Sequence, residues 1–209
     1  MESLLCALVM IFSSALAADA AGKTHVDASA TPQGIAVITR ARIDAPLAVI
    51  WQTLTDYDHL AEFIPGMTTS RTLTRCGNNV VVAQTGSAVA SLFNYPIDIV
   101  VETEEHPPTD ISVRILSGNL RTYQGAYHLE PVAGVEDSFD LSWSGVVEPE
   151  ISLPGFIIGW GLRQVVEDEF RAMIAEIERR NGLYRQGQLN LNPTPTAACS
   201  RLVQVGRGG

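Results

Sequence analysis

Apolar and polar positions change period twice along the chain. From Ile35 to Ile43 apolar residues (Ile35, Val37, Ile43) interleave with polar ones (Arg40, Arg42), the period of a half-buried strand. Ala45-Pro46 then opens a short helix, with proline at an early position where its missing N–H costs little. Leu47, Ile50, Trp51 and Leu54 follow at helical spacing. Thr55-Asp56-Tyr57-Asp58 breaks this helix, and Asp56 and Asp58 are expected to cap a second one, His59 to Ile64, stopped by Pro65-Gly66. General acid–base work by the two carboxylates is the remoter reading.

From Met67 the period drops to 2. Six strand-like runs follow, at 67–75, 79–88, 95–104, 110–117, 120–130 and 137–147. Turn residues separate them: Gly77-Asn78-Asn79, Asn94, Pro107-Pro108, Gly118-Asn119 and Gly134. Short links between regularly spaced strands predict an antiparallel meander, and strands do not alternate with helices as a doubly wound sheet requires. Pro149 and Pro154 end the sheet. Phe156 to Arg180 then reads as one long helix, with Leu162, Val165, Val166, Phe170, Met173, Ile174 and Ile177 on one stripe and Gly182 as its stop. Residues 185–209 show no period.

The predicted fold class is α+β. A seven-stranded curved antiparallel sheet wraps around the C-terminal helix, with two short helices after the first strand. The sheet has one face to bury, and the terminal helix is the only long amphipathic element able to cover it. A curved sheet around one helix leaves a space between them, where an apolar ligand would sit.

Composition narrows the function. The 209 residues are 46% hydrophobic and 18% charged, which fits one domain with a sizeable core. Fourteen basic residues against 23 acidic ones give a net charge of −9, and Lys23 is the sole lysine. No basic run exists, so phosphate-driven nucleic-acid binding and polybasic membrane anchoring are both excluded. Leu4 to Phe12 is a run of nine apolar residues, and Ala15-x-Ala17 after it has the form of a cleavage site. This layout predicts a signal peptide at 1–17 and an exported protein, although the first residues hold Glu2 and no lysine or arginine. Residues 18–33 are expected as a flexible leader, 34–181 as the folded domain and 182–209 as a disordered tail.

Export would leave Cys76 and Cys199, which are expected as two free thiols because one sits beside a turn and the other in a Pro/Thr/Asn-rich tail. The histidines (His25, His59, His106, His128) have no metal spacing, and neither a nucleophile elbow nor a glycine-rich phosphate loop is present. No metal, cofactor or catalytic constellation is therefore expected. Gly155, Gly159 and Gly161 at the start of the long helix are read as letting it pass close to the sheet, or as a gate region.

Two stretches carry a resemblance. Ala45-Pro46-x4-Trp51-x2-Leu54-Thr55-Asp56-Tyr57-Asp58-x-Leu60-x2-Phe63-Ile64-Pro65 is the more specific, and Gly125-x-Tyr127-x-Leu129-x-Pro131 the weaker. With the element order, they resemble the START-like superfamily and its helix-grip fold, in the polyketide cyclase/dehydrase and coenzyme Q-binding branches. The resemblance implies a ligand-binding domain for lipids, isoprenoid quinones or polyketide-like molecules, with room for transient membrane contact during ligand exchange. It leaves the oligomeric state open.

The ligand-binding candidates follow from phase. On the last strand Phe139, Leu141, Trp143 and Val147 share the face towards the helix, opposite Asp140, Ser142 and Ser144. Tyr123 and Tyr127 share a face on the preceding strand and could offer hydroxyls to a ligand carbonyl. Tyr95, Phe170 and Met173 join them as cavity candidates. Trp51, Phe63 and Tyr57 could shape a pocket mouth near the two short helices, or Trp51 and Phe63 are plain core. Arg114 alternates outward with Ser112 and Leu116; turned inward it would anchor a quinone oxygen or a carboxylate. Glu169 falls at the edge of the helix stripe, either reaching out to solvent or buried with a raised pKa or a partner such as Arg114 or a tyrosine hydroxyl. Three functions remain open. The first is a carrier of an apolar molecule. The second is an aromatase/cyclase-type enzyme using Tyr123, Arg114 and Glu169 on a carbonyl. The third is an interaction module using the outer sheet face.

Overall fold

The computed structural model describes residues 24–90, 93–151 and 155–191. The signal-peptide reading at 1–17 and most of the expected tail fall outside them. Eight antiparallel strands form one sheet: β1 His25–Thr31, β2 Gly34–Asp44, β3 Met67–Cys76, β4 Asn79–Ala90, β5 Phe93–His106, β6 Asp110–Gly118, β7 Leu120–Pro131 and β8 Ser138–Pro149. Their order is β1-β2-β8-β7-β6-β5-β4-β3. Helices α1 Leu47–Leu54 and α2 Gly155–Arg185 complete the fold, with a 3-10 segment at Tyr57–Glu62.

The sheet therefore has one strand more than the sequence pattern predicts. Part of the expected leader is β1, which pairs along its whole length with β2, from His25 opposite Arg40 to Thr31 opposite Gly34. Its residues are mostly small or polar and Val26 alone is deeply buried, so backbone hydrogen bonds rather than an alternating pattern hold it. Curvature has a local cause: register shifts occur at Met67/Thr69, Thr72/Thr74, Val100/Val101 and Leu120/Thr122. Such bulges bend a strand and increase its twist.

β2 and β3 lie far apart in the sheet, and α1 with the 3-10 segment bridges them. The expected second helix is this 3-10 segment, starting two residues earlier. Neither aspartate caps it. Asp56 instead binds Arg180 of α2 at 2.8 Å and His59 at 2.6 Å, and Asp58 accepts the backbone N–H of Thr72 in β3 at 2.5 Å. The two carboxylates tie the bridge to α2 and to the sheet edge.

Helix α2 runs past Gly182, which has open space around it. It ends at Arg185, and Gly187 just beyond takes a left-handed φ of +69°. There Gly187 donates to Tyr184 O and Gln188 to Leu183 O, both at 2.9 Å, closing a Schellman motif. The C-terminal half of α2 is fastened down. Ile174 and Ile177 are buried, and Asn181 Nδ2 donates to Asp44 O at 3.0 Å. Arg180 also bonds Glu176 at 2.7 Å and lies 6.0 Å from the Phe63 ring centre. Trp51 and Phe63 thus belong to the core beneath this half of the helix. On the same inner face of the sheet, buried Glu105 accepts with both its oxygens from Arg75 Nη1 at 3.0 Å, and Arg75 covers the Tyr57 ring at 5.7 Å.

Cys76 is disulfide-bonded, which corrects the expectation of two free thiols; Cys6 and Cys199 both lie outside the described residues. Among the described residues, no helix is long and apolar enough to cross a membrane.

Candidate functional site

Beneath the N-terminal half of α2 the helix stands off the sheet and encloses a cavity of about 210 Å³. Its roof is one helix stripe: Ile158, Leu162, Val165, Val166, Glu169, Phe170 and Met173. Its floor is the inner sheet face, with Thr39 of β2, Tyr123 and Tyr127 of β7, and Trp143 and Val147 of β8. Gln84, Gly86 and Ala88 of β4 and Tyr95, Ile97 and Ile99 of β5 form a wall, closed below by Leu60, Ile64 and Met67. At its start α2 does come close to the sheet, since a Cβ on Gly155 would touch Ala30 at 3.6 Å.

Period 2 explains the floor. Tyr127 stands directly opposite Trp143, and Trp143 opposite Thr39, so these three form a row across β7, β8 and β2. Gly125 and Gly145 also face each other on this side. A Cβ on either glycine would come within 2.8 Å of Trp143 Cζ2. The missing side chains are what let the indole lie down over the sheet. Tyr123 stacks with it at 6.4 Å between ring centres, and Tyr127 meets it at 6.4 Å with a 55° tilt.

Polar groups on this apolar surface are few. Tyr95 has its hydroxyl committed: it donates to Asn119 O and accepts from the Glu150 N–H at 3.2 Å. Tyr123, Tyr127 and Glu169 have no hydrogen bond or ion pair from the protein among the described residues, so their polar ends are available to a ligand. Burial, with the Asp168 charge adding to it, pushes the Glu169 carboxyl up to about 7. Burial also raises both phenols well above the usual tyrosine value, and the charge of Glu169 adds to the effect on each. Trp143 Nε1 and Thr39 Oγ1 are buried without a partner.

Seven of the ten candidate residues therefore come together around this cavity: Tyr95, Tyr123, Tyr127, Trp143, Glu169, Phe170 and Met173. Glu169 takes the inward of its two open orientations. Trp51 and Phe63 stand below the cavity in the core. Arg114 is on the outer face, largely exposed and ion-paired with Glu102, its direct cross-strand neighbour. It cannot reach Glu169 or a ligand in the cavity. Thr39 and Gln84 were not expected, although the parity of buried Val80 and Val82 places Gln84 on the inner face. Among the described residues no cluster of His, Cys, Asp or Glu could hold a metal ion.

The family model described as polyketide cyclase / dehydrase and lipid transport matches residues 43–174. A search of curated proteins gives no match. Among solved structures, human STARD10 is similar at a TM-score of 0.58 and 13% identity, covering 84% of this chain and 80% of its own. The Zhui aromatase/cyclase from Streptomyces sp. R1128 matches at 0.56 and 17%, covering 69% and 94%. A STAR-related lipid transfer protein from Xanthomonas axonopodis matches at 0.55 and 14%, covering 74% and 92%. At such identities these likenesses establish the helix-grip fold.

Proposed function

Since the chain belongs to the family described as polyketide cyclase / dehydrase and lipid transport, we propose that it binds and carries an apolar small molecule in the cavity under α2. The observation that carries this reading is the cavity itself: apolar walls from sheet and helix with a few unpartnered polar groups converging on one region. Lipid, isoprenoid quinone and polyketide-like molecules are the candidate ligand classes. Ligand exchange at an apolar surface belongs to the same reading. It is supported by exposed Phe156 and Trp160 on the first turns of α2, beside cavity residues Ile158 and Leu162.

We also place this carrier outside the cytoplasm. The apolar run Leu4 to Phe12 with Ala15-x-Ala17 supports export, and so does the disulfide at Cys76, since such bonds persist in oxidising compartments. An enzyme of the aromatase/cyclase type is the second reading, favoured by the proton-bearing groups of Glu169, Tyr123 and Tyr127 facing the cavity unpartnered.

Native mass spectrometry of chain purified without detergent tests the main reading. A bound apolar molecule released on mild activation is expected. A protein that emerges empty and takes up no added lipid or quinone would overturn it.

A further inference from the structure

We propose that the cavity selects a compact neutral molecule that presents an oxygen acceptor, such as a carbonyl, to Glu169, Tyr123 and Tyr127, and that it rejects anions. The inference rests on the binding reading above and names the ligand class for that same site.

Size is the first ground. A cavity of about 210 Å³ is only modestly larger than the roughly 150 Å³ that holds a benzene ring. It suits a molecule of one or two rings, or a short chain, rather than a two-chain lipid.

Charge is the second ground. Among the described residues, no lysine, arginine or histidine lines the cavity. Arg114 is on the other face of the sheet and paired with Glu102. An anionic head would enter a desolvated space beside Glu169 with no cation to offset it, and an uncompensated buried charge is costly. The titratable groups facing Glu169 are Tyr123 and Tyr127 of β7, with Asp168 beside it on α2. Tyr95 of β5 also lines the cavity, with its hydroxyl already bonded. From β2, β4 and β8 only uncharged side chains contribute.

Hydrogen bonding is the third ground. Two phenols that stay un-ionised and a carboxyl that keeps its proton until about pH 7 are three hydroxyl donors without acceptors among the described residues. A carbonyl oxygen, with two lone pairs, can accept from two of them at a time. An ammonium would require Glu169 to ionise in an apolar space, where an ion pair gains only if every remaining polar group is satisfied.

Three probes with one ring system and different heads test this on the full chain at pH 6. They are 2-acetylnaphthalene (neutral), 2-naphthoate (anionic) and 2-naphthylmethylammonium (cationic), followed by calorimetric titration. The ketone is expected to bind about tenfold or more tightly than either ion, the worth of one or two lost hydrogen bonds or one uncompensated charge. In Glu169→Leu, ketone binding should weaken about tenfold and the discrimination against naphthoate should shrink. Circular dichroism establishes that this variant is folded. Tyr123→Phe with Tyr127→Phe gives an independent loss of ketone affinity should Glu169→Leu fail to fold. Equal affinity for all three probes, or preference for either ion, overturns the charge selection and leaves the apolar-carrier reading standing. Binding of none of them overturns both.

Discussion

A methyl group placed on Gly125 would sit 2.8 Å from Cζ2 of Trp143. The same distance separates that atom from a methyl on Gly145, the residue directly opposite. The floor of the cavity is thus an indole resting on a pair of glycines, flanked by Tyr123 and Tyr127.

Gly125→Ala should therefore displace the indole and destabilise the protein by about 1–3 kcal/mol, the usual cost of overpacking. Urea unfolding measures the loss, and a shifted tryptophan emission reports the indole. A contrasting substitution is Gly182→Ala, which lies inside α2 with nothing within 4 Å of the new methyl. It should stabilise by about 0.5–1 kcal/mol through helix propensity alone. Equal effects of the two substitutions would mean that the glycine pair is not set by the indole.

The buried carboxyl makes stability pH-dependent with a definite sign. Glu169 has a raised pKa in the fold, about 7. The folded state then holds a proton that the unfolded chain has released, from the ordinary glutamate value of about 4.3 upward. This contribution is intact below that value and is lost as pH rises to 7, by on the order of 3 kcal/mol. Glu169→Gln cannot ionise. Its melting temperature should match wild type near pH 4.5 and exceed it at pH 8. A constant difference across that range would show that Glu169 is solvated.

Arg180 is the fastening of α2. It is buried, bonds both Glu176 and Asp56, and covers Phe63. Arg180→Ala should cost about 2–3 kcal/mol, somewhat under a full buried-pair loss because Arg179 still holds Glu176. Arg179→Ala, at an exposed side chain, should cost less than about 1 kcal/mol. Chemical unfolding of the two variants compares them directly.

Sequence made the sheet and much of the cavity legible because period 2 is unforgiving. Once Leu141 and Trp143 face the helix, the direct register places Tyr127 and Tyr123 beside them, and Arg114 falls outside. What stayed hidden was whatever depends on contacts distant in the chain. β1 is stabilised by its ladder to β2 and hardly by its own pattern. Asp56 looks like a helix cap until Arg180, 124 residues away, is brought to it. The motif of Trp51 and Phe63 is conspicuous, yet those residues hold α1 and the 3-10 segment in the core rather than lining the cavity. Helical phase put Glu169 on an edge, and only the stand-off of α2 from the sheet turns that edge inward.

The most direct measurement is a titration with N-phenyl-1-naphthylamine, a neutral apolar fluorophore, against wild type and Val166→Trp. Val166 lines the cavity roof, and a tryptophan there would fill the space without adding charge. Saturable binding by wild type, lost in a Val166→Trp variant that melts like the parent, is the predicted result. Equal binding by both proteins would contradict a ligand site beneath α2.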